Sequence, residues 1–366
     1  MNQNFILGRL GEIMGWDTDQ AREEFAWLRL ISQMKYDGYQ DFLAGMRFVE
    51  SLADWLQQFQ QGERPAAYEM IRKSLIYIST AEMNHLVEQF YPETVQWRLQ
   101  NDVSVRLGIQ PYRVWASAAS AELYRRLLRQ SLFVELSDGA RIDVFRRANA
   151  GTISTEQVVT APRINQDKWD DLLDDLREDL EDGAAKFASV FLIDDFIASG
   201  TTLLRKEGRN WKGKLARFWK DVQDVLPTHF EGGWTFNVHH YIGTSRAEHV
   251  VRERQAEALA DQGVDDWFND IRFSFGTVLP ADIPINATTH PDFVGLAQRY
   301  YDDSIETKHM KLGGHDARLG FGKCALPLIL EHNTPNNSVA LLWAETPGDD
   351  ERHAMRPLFR RRQRHV

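Results

Sequence analysis

The spacing of apolar residues along the chain changes character near residue 130. Before that point it is helical. Phe42, Met46, Val49, Leu52, Leu56 and Phe59 fall on one helix side, and Arg64-Pro65 interrupts the run. Ser79-Thr80-Ala81-Glu82 has the order of a capping box, Met83, Leu86, Val87 and Phe90 line the helix it starts, and Pro92 marks its expected end. A further helix is predicted from about Ala118 to Arg129. Beyond it, residues 132–136, 157–160, 190–193, 234–241 and 271–275 read as strands. Between the second and third, Trp169, Leu172, Leu173, Leu176 and Leu180 stripe a helix on the acidic segment 170–182, with Gly183 as its cap. Those carboxylates read as a solvated face rather than a metal cluster. A helix through Trp211 to Val222 and a second capping box, Ser245-Arg246-Ala247-Glu248, complete the alternation. Strands alternating with helices predict an α/β fold with a mainly parallel sheet. Residues 325–331 and 339–343 predict a C-terminal strand-loop-strand extension.

The stretch Val190-Phe191-Leu192-Ile193-Asp194-Asp195-Phe196-Ile197-Ala198-Ser199-Gly200-Thr201-Thr202 carries the chemistry. Four large apolar residues predict a strand buried on both faces, and ligands gather at the carboxyl ends of such strands. Alternation is expected to break down at Asp194 and Asp195, letting both carboxylates face one ligand. The small-residue turn runs into Leu203-Leu204-Arg205-Lys206, read as the start of a helix, so its N–H groups form an anion site. Ser199, Thr201 and Thr202 add hydroxyl donors, and Gly200 permits close approach or a positive φ. Paired carboxylates accept hydrogen bonds from vicinal sugar hydroxyls, or hold Mg²⁺ through water. A diol, a phosphate and a divalent ion together describe a phosphorylated ribose. A receiver domain would place its acidic pair near the domain start without a phosphate turn, and the Asp-x-Asp-x-Thr of a haloacid dehalogenase is absent.

The order four apolar residues, Asp-Asp, two apolar residues, Ala-Ser-Gly-Thr-Thr resembles the phosphoribosyl-pyrophosphate loop of type I phosphoribosyltransferases. The resemblance implies Mg²⁺ as cofactor, ribose hydroxyls held by Asp194 and Asp195, and the 5′-phosphate held by Ala198, Ser199, Gly200, Thr201 and Thr202. It also gives the pyrophosphate to Ser137-Asp138-Gly139-Ala140-Arg141, with Gly139 allowing close approach and Arg141 pairing through its planar fork. From the residues alone, that loop reads equally as a plain turn. The segment His332-Asn333-Thr334-Pro335-Asn336-Asn337 resembles phosphoribosyltransferase-like proteins of bacterial conflict (anti-phage) systems, some of them encoded beside retron reverse transcriptases. That second resemblance implies a defence effector and makes His332 and Asn333 candidate pocket residues. Read without it, the loop is a connection rich in turn formers. Gly320-Phe321-Gly322 is too short to be a nucleotide loop.

Length, at 366 residues, favours two domains. Residues 1–117 are expected to form a helical accessory domain. Its tryptophans Trp16, Trp27, Trp55, Trp97 and Trp115 build a core or meet a partner. Residues 118–366 are expected to form the phosphoribosyltransferase-like domain. A single cysteine, Cys324, excludes internal disulfides and thiolate-bound zinc or iron–sulfur centres and suits a reducing cytosol. The N-terminus lacks a signal-peptide pattern and no stretch is apolar enough to span a bilayer, so a cytoplasmic protein is expected. A net charge of −10 disfavours broad nucleic-acid binding. The basic segment 356–365 is the exception, read as a solvated tail, or as a segment that docks on acidic protein surface or nucleic acid, in a ribonucleoprotein for one, or that covers a phosphate pocket. His239 and His240 should point to opposite faces of their strand, which argues against a shared metal. The expected function is binding of phosphoribosyl pyrophosphate with transfer or hydrolysis of the phosphoribosyl group. The alternative is a non-catalytic, nucleotide-sensing subunit of a defence ribonucleoprotein. No base-specific motif names the acceptor.

Overall fold

Five of the apolar runs form one parallel sheet: β1 (Ser131–Glu135), β2 (Val158–Val159), β3 (Phe187–Ile197), β4 (Phe230–Thr244) and β5 (Ile271–Leu279). Their spatial order is β2-β1-β3-β4-β5, every neighbouring pair parallel. This computed structural model describes residues 3–40, 42, 47–160, 164–263, 267–268, 270–308, 310–314, 316–349 and 353–362. The 2-1-3-4-5 order reverses direction between β1 and β3, and an open parallel sheet leaves a crevice at such a reversal, outside the strands' carboxyl ends.

Helices cover both faces of the sheet, as parallel strands require. On one face Leu132, Val134, Val190, Leu192, Phe236 and Val238 pack with Trp169, Leu172 and Leu176 of helix Gln166–Asp179 and Leu215, Phe218 and Val222 of helix Lys214–Val222. On the other, Phe133 stacks on Phe191 at 5.3 Å between ring centroids, and Phe90 and Phe145 close over them. Arg98 of helix Gln96–Leu107 enters this second face and donates to Asn237 Oδ1 and to the carbonyls of Arg272 (2.8 Å) and Phe273 (3.1 Å). A buried guanidinium held this way leaves few donors unpaired.

The chain divides into two compact units, one of residues 1–82 with 281–366 and one of residues 83–280. The expected boundary at 117 therefore moves to two places. Helices Gln96–Leu107 and Ala118–Arg129 fall in the same unit as the sheet, the first tied to it through Arg98, and the C-terminal segment returns to the N-terminal helices.

In the first unit, helices Phe48–Gln57 and Arg64–Ser74 share a core with Leu341, Leu342, Leu358 and Phe359. The unit is not all helical, because Ile76–Ile78 pairs in parallel with Leu328–Leu330. The second strand expected at 339–343 is instead a helical turn, Ala340–Trp343, so the strand-loop-strand extension is strand, loop and helix. Its apolar run is satisfied by burial on all sides, which a helical turn meets as well as a strand. The basic segment is not a free tail: Leu358 and Phe359 are fully buried, and Phe359 stacks on Phe42 and Phe48.

Smaller departures share one cause, tertiary packing overriding local signals. The stripe begins at Phe48, not Phe42, and Met46 lies outside the described residues. Pro92 does not stop its helix but sits in a π-helical turn, Phe90–Val95, that leads into the next helix. Glu181, at φ 49°, rather than Gly183 takes the left-handed conformation after helix Gln166–Asp179. Thr244, one residue before the expected cap, accepts from Ala247 N. The Ser79–Glu82 capping box forms as predicted.

Candidate functional site

The switch point of the sheet lies where β1 and β3 end. β1 ends in Glu135, and Ser137, Asp138, Gly139, Ala140 and Arg141 form the turn after it, with Arg141 at φ 47° leading into helix Ile142–Ala148. β3 runs on through Asp194 and Asp195 to Ile197, where Ala198, Ser199, Gly200, Thr201 and Thr202 turn the chain. The helix expected after Thr202 is absent at that point. A two-stranded hairpin, Arg205–Glu207 with Asn210–Lys212, intervenes before helix Lys214–Val222. The donors that this turn offers are thus those of its own backbone and hydroxyls, with no helix N-terminus directly behind them. Gly200 takes φ 72°, its carbonyl accepts from Leu203 N and Leu204 N, and Thr201 N reaches Ser199 Oγ at 3.3 Å. Among the described residues no acceptor takes the N–H of Gly200 or Thr202. Thr244 Oγ1 donates to Ala198 O at 2.9 Å and ties the turn to the end of β4.

The two carboxylates do not face one ligand. β3 stays paired with β4 past both of them (Asp194↔His240, Phe196↔Ile242, Ile197↔Gly243), so side chains keep alternating and adjacent residues point to opposite faces. Asp194 is 3 % exposed; Ser137 Oγ donates to its Oδ1, Lys214 Nζ forms an ion pair with its Oδ2, and His240 Nε2 lies 3.9 Å from Oδ2. Burial pushes the Asp194 carboxyl up, against the pull of Lys214 and Ser137. His240 is buried and its pKa is drawn down to about 3, by desolvation first and then by Lys214, so it is neutral near pH 7. Asp195, half-buried, faces the other way. Its Oδ1 accepts from Phe196 N at 2.8 Å, and a Cβ at Gly139 would sit 2.5 Å from its Oδ2. A side chain at position 139 would force the Asp195 carboxylate to move.

Three further groups complete the strand end. Arg141 lies within electrostatic range of Asp195, Asp143 and Tyr241, and burial draws its pKa down from the usual guanidinium value. Tyr241, on β4 beside Asp195, is fully buried. The Glu135 carboxyl is pushed up to about 7, by desolvation first and then by Asp138, Asp143 and Asp194. Sequence reasoning missed Lys214, Tyr241 and Glu135. Lys214 had no signal, because a hairpin of unrelated residues separates it from the turn it serves. Glu135 did have one, a lone acid closing an apolar strand.

His332 and Asn333 belong to the other compact unit. Asn333 Oδ1 accepts from Arg362 N at 3.0 Å, and His332 Nδ1 lies 3.4 Å from Glu331 Oε1. Thr334 Oγ1 meets Tyr39 Oη at 2.9 Å and Asn337 Nδ2 donates to Phe321 O at 3.0 Å. Much of the loop's polar chemistry is thus used to pin neighbouring backbone.

A family model described as PRTase-CE matches residues 52–361. The chain belongs to this phosphoribosyltransferase-like family. No curated protein and no solved structure matches it. The family match spans the sheet, the crevice and most of the first unit, and the five-stranded parallel sheet agrees with a phosphoribosyltransferase-type fold. Among the described residues no cluster of three or more His, Cys, Asp or Glu side chains forms a metal cage, and both Asp194 oxygens already have partners. That donor set suits a Mg²⁺ ion that arrives on a ligand's phosphates and keeps several waters, not one held by the protein alone. No helix among the described residues is long and apolar enough to cross a membrane.

Proposed function

We propose that this PRTase-CE protein binds phosphoribosyl pyrophosphate in the β1/β3 crevice and transfers the phosphoribosyl group to an acceptor or to water. One observation carries the reading. A backbone turn with unused N–H groups, the Asp195 carboxylate and the Arg141 loop meet at the switch point of the sheet. In it, residues 198–202 hold the 5′-phosphate, Asp195 accepts from a ribose hydroxyl, and Ser137, Asp138, Gly139 and Arg141 take the pyrophosphate. Asp194, on the opposite face of the strand, holds Ser137 in place. Mg²⁺, when bound, neutralises pyrophosphate charge. The bond between C1 and the pyrophosphate oxygen breaks and a bond from C1 to the acceptor forms. The chain's own contribution is orientation and fixed charge at the positive ring of the transition state.

Calorimetric titration of phosphoribosyl pyrophosphate with and without Mg²⁺ tests this directly, comparing wild type with Asp194→Asn and Asp195→Asn. Mg²⁺-dependent binding that collapses in Asp195→Asn is expected. Folded wild type that takes up no ligand sinks the reading.

A second reading is favoured by the ion pair on Asp194: a pocket that binds a nucleotide as a signal without turnover, inside a larger complex. A carboxylate closed by fixed partners suits recognition better than a reaction cycle. Its partner, a protein or a ribonucleoprotein, would meet the exposed Trp97, Tyr112 and Trp115 or the arginines of 356–362. Mg²⁺-dependent release of pyrophosphate separates the two, being expected of the enzyme alone. The biological setting we propose, anti-phage defence in the cytoplasm, is supported by the likeness of the 332–337 segment to conflict-system proteins. Unchanged phage plating on cells with and without the gene would remove it.

A further inference from the structure

We propose that the Tyr241 hydroxyl is a hydrogen-bond donor to the pyrophosphate end of the ligand, forming one anion subsite with Arg141 on the Asp195 face of the sheet. The inference deepens the phosphoribosyl reading and rests on it.

Tyr241 is fully buried, yet among the described residues its hydroxyl has no hydrogen-bond partner. Buried polar groups are nearly always paired, and one left alone lowers stability, so its position calls for a reason. Packing alone does not supply one. The ring meets Phe90 (6.3 Å) and His239 (5.5 Å) edge-on, contacts a phenylalanine would make equally well. Strand pairing puts Tyr241 on the Asp195 face of the sheet, and the charges whose fields reach its hydroxyl are those of Asp195, Asp194, Arg141 and Asp143. Tyr241 thus belongs to the strand end where the Gly139 loop lies against Asp195.

Burial and the two carboxylates hold the phenol well above its ordinary pKa, so it remains a donor at any working pH. Asp195 can only accept, and its complement is a ribose hydroxyl. Arg141 can only donate, and a second fixed donor beside it suits an oxyanion. The ribose and the pyrophosphate thus divide the site between Asp195 and the Arg141–Tyr241 pair. Tyr241 acts by holding the ligand, with no proton transferred.

The test uses the full chain as wild type and Tyr241→Phe, titrated calorimetrically with inorganic pyrophosphate plus Mg²⁺ and, separately, with ribose 5-phosphate. Melting temperatures are read on the same samples. The expected result is a pyrophosphate affinity lower by about tenfold, the worth of one hydrogen bond to a charged group. Ribose 5-phosphate affinity should hold within about twofold, and Tm should stay level or rise as the unpaired hydroxyl disappears. Unchanged pyrophosphate affinity in Tyr241→Phe overturns the proposal, the hydroxyl then holding a water. Equal weakening for both ligands with a lower Tm also overturns it, in favour of packing. Wild type that binds ribose 5-phosphate but not pyrophosphate overturns this inference while sparing the 5′-phosphate site. Binding of neither overturns both.

Discussion

Asp194 and Asp195 are neighbours in sequence with opposite surroundings. Asp194 is enclosed, its oxygens engaged by Ser137 and Lys214 and its flank closed by His240. Asp195 lies half-buried under a glycine, beside a tyrosine hydroxyl that no described residue partners. One residue of strand register separates a carboxylate enclosed by Ser137, Lys214 and His240 from one that lies half-buried under the β1 loop. The difference teaches that an acidic pair at a strand end is not one functional unit. While the strand remains paired, its two members serve two faces, and the partners on each face decide what each does.

The sharpest way to break the comparison is Lys214→Ala. It removes the counter-charge of a buried carboxylate and should cost about 3–5 kcal/mol of unfolding free energy, read from urea denaturation, the usual result of deleting one member of a buried pair. The loss should shrink as pH falls, because Asp194 can then take a proton. A cost equal to that of an exposed ion pair would mean Asp194 is not held this way.

Gly139→Ala probes the other side. Its Cβ would press on Asp195 Oδ2, so a loss of about 1–3 kcal/mol is expected. Asp195→Ala should relieve most of it. A double-mutant cycle with coupling below about 0.5 kcal/mol would separate the loop from Asp195.

Glu135→Gln gives the smallest effect, and a pH-dependent one. The folded carboxyl titrates near 7, above its ordinary 4.5, so its favourable contribution is whole below 4.5 and is lost as pH rises through about 7. The variant should therefore melt above wild type near pH 8, with the gap closing toward pH 4.5. A gap that does not vary with pH would show that Glu135 titrates as an ordinary carboxylate.

Much of the second unit was legible because local and tertiary preferences agree there. The apolar runs at 132–136 and 190–193 have no way to be satisfied except on both faces of a central strand. Helix Ala118–Arg129 fell where its spacing placed it. The C-terminal region was less legible. Residues 339–343 are buried on every side, and full burial removes the polar alternation that tells strand from helix. The arginines of 356–362 suggested a tail, but Leu358 and Phe359 among them fill the aromatic core around Phe48. Two large apolar residues outweigh the hydration of their charged neighbours, whose heads still reach solvent.

The sequence by itself determined the parallel α/β class, the central strand and the identity of the groups at its end, since short-range periodicity and residue chemistry specify all three. Only the tertiary structure decided which face each aspartate serves, that Lys214 returns across a hairpin to close one of them, and that Tyr241 lies beside the other. Those facts depend on strand register and on contacts between residues far apart in the chain. Pairing of backbones, not the order of side chains, sets them.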